Sequence, residues 1–202
     1  MGVQPIPEDG DAAVLRDFRH QVRATPPLKA GEMETLLERS ALGDAASQAR
    51  LIAANLSTVL RLAEEREDRG LPLTDLVQEG SLGLVEAVAT FRSDGPGDFK
   101  VFAEQKIGEQ MDAAIAAETA AVRDAEQLVA AATDFERTEL LLRKVLGRTA
   151  TAAEIAEKLE WSVERTRYVA QVVADARRRQ DEELLAFIDP DADVDGSSQD
   201  AE

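Results

Sequence analysis

The chain has 202 residues, of which 23 are basic and 40 acidic, so its formal net charge is −17. The absence of cysteine excludes a disulfide framework and a thiolate metal site. No apolar run approaches the length of a membrane span or a signal-peptide core, so we expect a cytoplasmic protein without a membrane partner. The acidity argues against broad non-specific nucleic-acid binding, which needs cations to displace phosphate counterions.

Alanine, leucine and glutamate dominate and aromatic residues are 4%, a composition that favours an all-α fold. We expect residues 1–10 to be disordered and helices over 11–24 and 28–42, separated by Thr25-Pro26-Pro27 and closed by Gly43 as a C-cap. A longer helix is predicted over 44–69. Its end, from Arg61 to Arg69, alternates in charge and is predicted to be a solvated face.

The stretch GLPLTDLVQEGSLGLVEAVATF, residues 70–91, is the most informative part of the sequence. Thr74 is the predicted N-cap of a helix, and Asp75 suits its first turn. Apolar residues at steps of three and four predict a buried face made of Val77, Gly80, Leu84, Ala87, Val88 and Phe91. Gly80 and Gly83 each cost a helix about 1 kcal/mol relative to Ala, unless another backbone or a partner must come close. Periodicity alone fits an ordinary amphipathic helix.

The order of residues adds a resemblance to a family. Ala54-Asn55-Leu56, Arg69-Gly70, the segment DLVQEGSLGL at 75–84, Ala87-Val88 and Phe91 together resemble region 2 of bacterial sigma-70 factors. The resemblance implies that this helix docks on the β′ clamp helices of core RNA polymerase. The candidate polymerase-binding residues are Asp75, Gln78, Glu79, Ser81, Leu82, Val85 and Glu86. The two preceding helices resemble region 1.2, although a generic helical hairpin fits them as well.

Residues 99–118, FKVFAEQKIGEQMDAAIAAE, depart from the family pattern for the helix that opens promoter DNA. Gln105 and Lys106 stand at the positions of the paired tryptophans, and Glu109 and Asp112 at those of base-reading residues. Gly108 and Ala113 occupy usually basic positions. The resemblance therefore implies weakened promoter recognition, with Phe99, Phe102 and Lys106 as the remaining weak DNA contacts. The alternative is that the two rings only fill the core.

The segment LGRTATAAEIAEKLEWSVERTRYV is similar to sigma region 3 and predicts a helix-turn-helix. A helix over 119–145 leads to a capping box of Thr151 with Glu154, a helix over 152–159, and a helix from 163 to about 179 with Ser162 as N-cap. We expect Trp161 to be a packing residue. Candidate weak DNA contacts are Arg165 and Arg167 for a major groove, and Arg177, Arg178 and Arg179 for phosphate.

The predicted domains are a region 1.2/2-like helical bundle over 11–118, a region 3-like three-helix domain over 119–180, and a disordered acidic tail over 181–202. The tail has nine acidic residues and no basic one, which is typical of a chain that cannot fold alone. It resembles the acidic linker that follows region 3 in the family. We expect no region 4, the reader of the −35 element, in this chain.

Residues with catalytic chemistry are lacking. The only histidine, His20, is predicted to lie on the surface, and there is no nucleophile–base pair or phosphate-binding glycine loop. Asp189, Asp191, Asp193 and Asp195 lack the glycine and closing glutamate of a calcium loop. We therefore expect no enzyme activity, no cofactor and no metal.

The preferred hypothesis is a sigma-70-like protein that binds core polymerase and, weakly, promoter DNA, with an anti-sigma or accessory protein as a further partner. Two alternatives stay open. One is a fully active sigma factor for unusual promoters. The other is an acidic helical decoy that sequesters a sigma antagonist.

Overall fold

The computed structural model describes residues 8–92 and 97–187, and that part of the chain contains seven α-helices and no strand. The all-α prediction is confirmed. The helices are α1 (Glu8–Ala24), α2 (Glu32–Ala41), α3 (Ala45–Glu64), α4 (Leu73–Thr90), α5 (Phe99–Leu146), α6 (Ala152–Leu159) and α7 (Val163–Phe187). The chain divides into two compact units, residues 1–121 and 122–202, compared with the domain boundary at 118/119 expected from the sequence.

The first two helices differ from the prediction at their starts. Helix α1 begins at Glu8, so residues 8–10 are helical, although disorder was predicted for them. Residues 1–7 lie outside the described part. Helix α2 begins at Glu32, four residues late, because Gly31 before it has a φ of 76° and the Glu32 carboxylate accepts from the Lys29 N–H at 2.7 Å. Gly43 is confirmed after the end of α2, with a φ of 85°.

Helix α3 is capped by Asp44, whose side chain accepts from the Ala46 N–H, and it stops five residues before the predicted end. The turn that follows contains Asp68 and Gly70, both with positive φ, which ends the helical path. The prediction of Thr74 as N-cap is wrong. Helix α4 already begins at Leu73 after Pro72, and Thr74 is buried inside it, 4% exposed.

The core of unit 1 lies between α3, α4 and the first part of α5. Its fully buried side chains include Leu51, Leu76, Leu84, Ile107 and Met111. The predicted inner face of α4 is buried as expected, except that Phe91 at its end is only half-buried.

At Gly83, the backbone of α5 comes too close to α4 for a side chain. A Cβ at this position would lie 2.7 Å from the Lys106 carbonyl oxygen and 2.9 Å from the Ile107 Cα. Those are distances that real Cβ atoms do not reach, so the backbone of α5 needs the missing side chain. The close approach expected from the sequence is therefore confirmed, and the neighbour is this chain's own helix.

Helix α5 runs without interruption from Phe99 to Leu146, so the expected boundary between helices at 118/119 is wrong. The boundary segment, AAIAAETAA at residues 113–121, contains neither glycine nor proline and is rich in the strongest helix former. Nothing local ends the helix there, and the division between the two units falls within it.

Unit 2 contains the predicted helix-turn-helix. The capping box of Thr151 and Glu154 is present, and Ser162 accepts from the Arg165 N–H at 3.1 Å. Trp161 packs against the unit 2 core, as expected. Helix α7 continues to Phe187, so residues 181–187 are helical and not part of a disordered tail. Residues 188–202, including the alternating aspartates, lie outside the described part.

Candidate functional site

The outward face of α4 carries the candidate polymerase-binding residues. Asp75 and Gln78 are exposed, and the apolar side chains of Leu82 and Val85 are 58% and 47% exposed. Leu82 and Val85 lie one turn apart, so the two apolar side chains are neighbours on the helix surface. We call these four residues the α4 outer patch.

The three remaining candidates on α4 make contacts within unit 1. The Glu79 carboxylate accepts from the Gln110 side-chain amide at 2.8 Å, and the Glu86 carboxylate accepts from the Lys106 ammonium at 2.9 Å. The Ser81 hydroxyl donates to the Val77 carbonyl of its own helix at 2.7 Å. Glu79 and Glu86 therefore help to hold α4 against α5, whereas Ser81 bonds to the backbone of its own helix.

The aromatic rings at the start of α5 belong to the core. Phe99 is 3% exposed, and its ring meets the edge of Phe91 with the ring centroids 5.2 Å apart. Phe102 is half-buried, with its centroid 5.5 Å from that of Phe91. The burial of Phe99 favours the alternative that its ring fills the core, because a buried ring has no face on which a base can stack.

Lys106 is also engaged by carboxylates. Its hydrogen bond to Glu86, together with the nearby charge of Glu109 at 3.7 Å, holds the pKa of the Lys106 ammonium above its ordinary value. The Gln105 amide donates to Glu109 at 2.8 Å. A lysine that already has two anionic neighbours gains less from a phosphate than a solvated lysine does.

Arg66 and Asp112 form a bidentate ion pair on this surface. Two guanidinium nitrogens of Arg66 donate to the two carboxylate oxygens of Asp112, at 2.8 and 3.1 Å. These hydrogen bonds lower the pKa of the Asp112 carboxyl and raise that of Arg66. Gly108 makes room, since a Cβ there would lie 3.0 Å from an Arg66 guanidinium nitrogen.

The prediction of a solvated face from Arg61 to Arg69 is thus wrong for Arg66, whose side chain is 14% exposed. Arg61 likewise donates to Glu104 of α5 at 2.6 Å. Sequence reasoning missed both contacts because the partners are 43 and 46 residues apart, beyond the reach of any helical period.

The arginine candidates of unit 2 are mostly paired. Arg177 donates to Glu136 at 3.0 Å and to Glu139 at 3.2 Å, so its guanidinium already has two carboxylate partners within the unit. Arg178 pairs with the Asp175 carboxylate, and Arg179 donates to the Asp175 carbonyl at 3.3 Å. The expected contact of this basic run with phosphate is therefore opposed by its internal pairs.

The other two candidates of unit 2 lie at the start of α7. The Arg165 guanidinium sits over the Trp161 ring, 4.5 Å from its centroid, which is a cation–π contact. Arg167 is exposed. Over residues 8–92 and 97–187, no helix is long and apolar enough to cross a membrane, and no cluster of three or more His, Asp or Glu side chains could hold a metal ion.

The chain is similar to known proteins over the segment that contains α4. Residues 51–107 match the family model for sigma-70 region 2. The RNA polymerase sigma factor SigA of a Bacillus species is 31% identical over 158 residues, 78% of this chain and 42% of that protein. SigA of a Synechocystis species is 32% identical over 128 residues, 63% of this chain and 30% of that protein. The chain thus spans less than half the length of these relatives.

Proposed function

We propose that this chain, which belongs to the sigma-70 family, is a transcription initiation factor that binds core RNA polymerase through the α4 outer patch. The relatives are named as RNA polymerase sigma factors, and the family match includes the whole of α4. We further propose that the β′ clamp helices are the binding partner and that promoter DNA is recognised weakly.

The exposure of Leu82 and Val85 is the observation that carries the polymerase proposal. The two side chains lie among the exposed polar groups of Asp75, Gln78 and Glu86, which is the arrangement of an apolar contact within a polar rim. Protein interfaces draw most of their affinity from a few such central side chains.

Weak DNA recognition is supported by the internal pairing at the start of α5. The buried ring of Phe99 cannot stack on a base, and the loss of one such stacking contact costs about 1–3 kcal/mol of DNA-binding free energy. Arg61, Arg66 and Lys106 are each neutralised by a carboxylate of the same unit. An accessory protein that supplies further DNA contacts, or an anti-sigma protein that covers the patch, would fit a chain of this charge.

Capture of purified core polymerase by the immobilised chain tests the proposal. We expect Leu82→Ser with Val85→Ser to weaken capture at least tenfold, because truncation of two central apolar side chains costs about 1–2 kcal/mol or more. The matched control is Leu42→Ser with Val101→Ser, which makes the same chemical changes at residues that are 88% and 66% exposed on the same unit. Equal capture by the two double variants would contradict the proposal.

Run-off transcription separates this function from its alternatives. With core enzyme and the chain alone, we expect little open complex at a promoter. Efficient opening would favour a fully active sigma factor for unusual promoters. Failure of wild type to capture any polymerase subunit would favour the acidic decoy of a sigma antagonist.

A further inference from the structure

Unit 2 has a groove that the proposed function does not use. It lies between the first turns of α5 in this unit and the start of α7, and its volume is about 480 Å³. The floor is apolar and consists of Leu128, Ala131 and Val169, of which the last two are buried. One lining residue, Arg165, lies over the ring of Trp161.

Flat groups form one wall of this groove. Tyr168 lines it with a side chain that is 61% exposed, although a tyrosine ring carries a large apolar face. Arg165 lines it as well, and its guanidinium is already fixed over Trp161 at 4.5 Å. Aromatic rings and guanidinium planes beside a shallow groove are the surfaces on which unpaired bases stack.

The opposite wall has a hydrogen-bonding edge. Asp124 and Gln127 lie one turn apart on α5 and both line the groove. A carboxylate accepts from the exocyclic amino group of a base such as cytosine, and a glutamine amide both donates and accepts. A planar ligand that stacks on one side and presents a polar edge to the other therefore matches the two walls.

The charge around the groove differs from that of the chain. Residues 122–131 and 161–170 together contain three arginines, Arg123, Arg165 and Arg167, and three acidic residues, Asp124, Glu126 and Glu164. These segments have no net charge, in a chain whose net charge is −17. Arg165 and Asp124 line the groove itself, so its lining has no net charge to repel the phosphates beside a bound base.

We propose that this groove binds an unpaired nucleobase of single-stranded nucleic acid and prefers bases with an exocyclic amino group. The proposal rests on the DNA part of the proposed function and assigns a strand contact to unit 2. Stacking on Tyr168 and Arg165 provides affinity, and Asp124 provides the preference. This contact differs from major-groove reading by the helix-turn-helix, because the ligand is a base outside a duplex.

Trp161 provides a direct readout, since it is the only tryptophan of the chain and contacts a groove residue. The full chain is titrated with oligo-dC and oligo-dT of about eight nucleotides, and tryptophan fluorescence is followed. We expect a saturable change, with oligo-dC binding several-fold tighter than oligo-dT. Asp124→Asn is expected to reduce that preference.

Tyr168→Phe and Tyr168→Leu form the matched pair. The ring is retained in the first and lost in the second, so we expect Tyr168→Phe to bind like wild type and Tyr168→Leu about tenfold more weakly. Equal binding by the two variants would overturn the proposal, as would the absence of a saturable change with either oligonucleotide. A change in Trp161 emission with core polymerase but with neither oligonucleotide would also overturn it and make the groove a protein-binding surface. Polymerase capture is measured separately, so failure of the proposed function would leave this titration interpretable.

Discussion

The α4 outer patch and the first part of α5 use their polar side chains in opposite ways. On α4, Asp75 and Gln78 are exposed without a partner among the described residues. On α5, Glu104 and Lys106 are paired with charges of α3 and α4, and Asp112 is paired with Arg66, just after the end of α3. Both regions belong to the same unit, and the family match covers the whole of α4 and the start of α5 up to residue 107.

This difference indicates where a partner can bind with the smallest cost. A side chain without a partner in the chain loses only its bound water when another molecule contacts it. Asp112 or Lys106 must first break a charged hydrogen bond. We therefore expect the start of α5 to stabilise unit 1 and the α4 outer patch to be available for recognition. Substitutions at the packing between the two helices test this division most strongly.

Gly83→Ala should have the largest effect. The new methyl group meets backbone atoms of α5 at 2.7 and 2.9 Å, so the two helices must separate. We expect the free energy of unfolding to fall by about 1–3 kcal/mol, the usual cost of overpacking. Urea unfolding followed by circular dichroism measures the change.

Gly108→Ala is the control on the facing helix. Its methyl group would lie 3.0 Å from a guanidinium nitrogen at the end of the Arg66 side chain and would meet no backbone of another helix, while alanine gains about 1 kcal/mol in helix propensity. We expect stability to be unchanged or slightly raised. A similar loss in both glycine variants would show that the close approach of α4 and α5 is not what requires Gly83.

Asp112→Asn comes next, because it removes the anion from the paired and largely buried Arg66. A charged hydrogen bond contributes about 1.5–3 kcal/mol, and exposure of just over half of the Asp112 side chain reduces this to about 1 kcal/mol. Glu118→Gln on the same helix is the control and should change unfolding by less than about 0.5 kcal/mol. Equal effects would mean that the pair contributes nothing to stability.

Acid should weaken the hydrogen bonds that carboxylates accept within the protein. Hydrogen bonds from Arg148, and then from Thr151, lower the pKa of Glu154 to about 2, and that of Asp112 is also lowered. A lowered folded pKa stabilises the fold fully above the unfolded value near 4.5 and loses this contribution as pH falls through the folded value. We expect the melting temperature to fall between about pH 4.5 and 2, and less steeply in Glu154→Gln. The exposed Glu157→Gln, on the same helix, should keep the wild-type profile.

The elements set by local chemistry were predictable from the sequence. The capping box at Thr151, the N-cap at Ser162 and the apolar face of α4 each depend on residues within a few positions of one another. Helix ends were less predictable. Thr74 has the chemistry of an N-cap, but the turn at Pro72 starts α4 two residues earlier than predicted, and the core buries the threonine.

The candidate site was predictable only in part. The exposure of Leu82 and Val85 follows from their place opposite the buried face of α4. The pairing of Arg66 with Asp112, or of Lys106 with Glu86, depends on how three helices pack and leaves no periodic signal in the sequence. Phe99 illustrates the same limit, since an aromatic residue at a helix start fits both a base platform and a core, and only packing decides.

Lys106→Gln should have the smallest effect, and it shows where the outward face of α4 ends. The substitution releases the Glu86 carboxylate from its pair at 2.9 Å, which is an exposed pair of the kind that contributes little to stability. We expect unchanged unfolding and unchanged capture of core polymerase, as for Arg39→Gln, which breaks an exposed pair with Asp44. If capture by Lys106→Gln fell as far as in the Leu82→Ser and Val85→Ser variant, the polymerase would bind across both helices. The start of α5 would then have a recognition role despite its internal pairing.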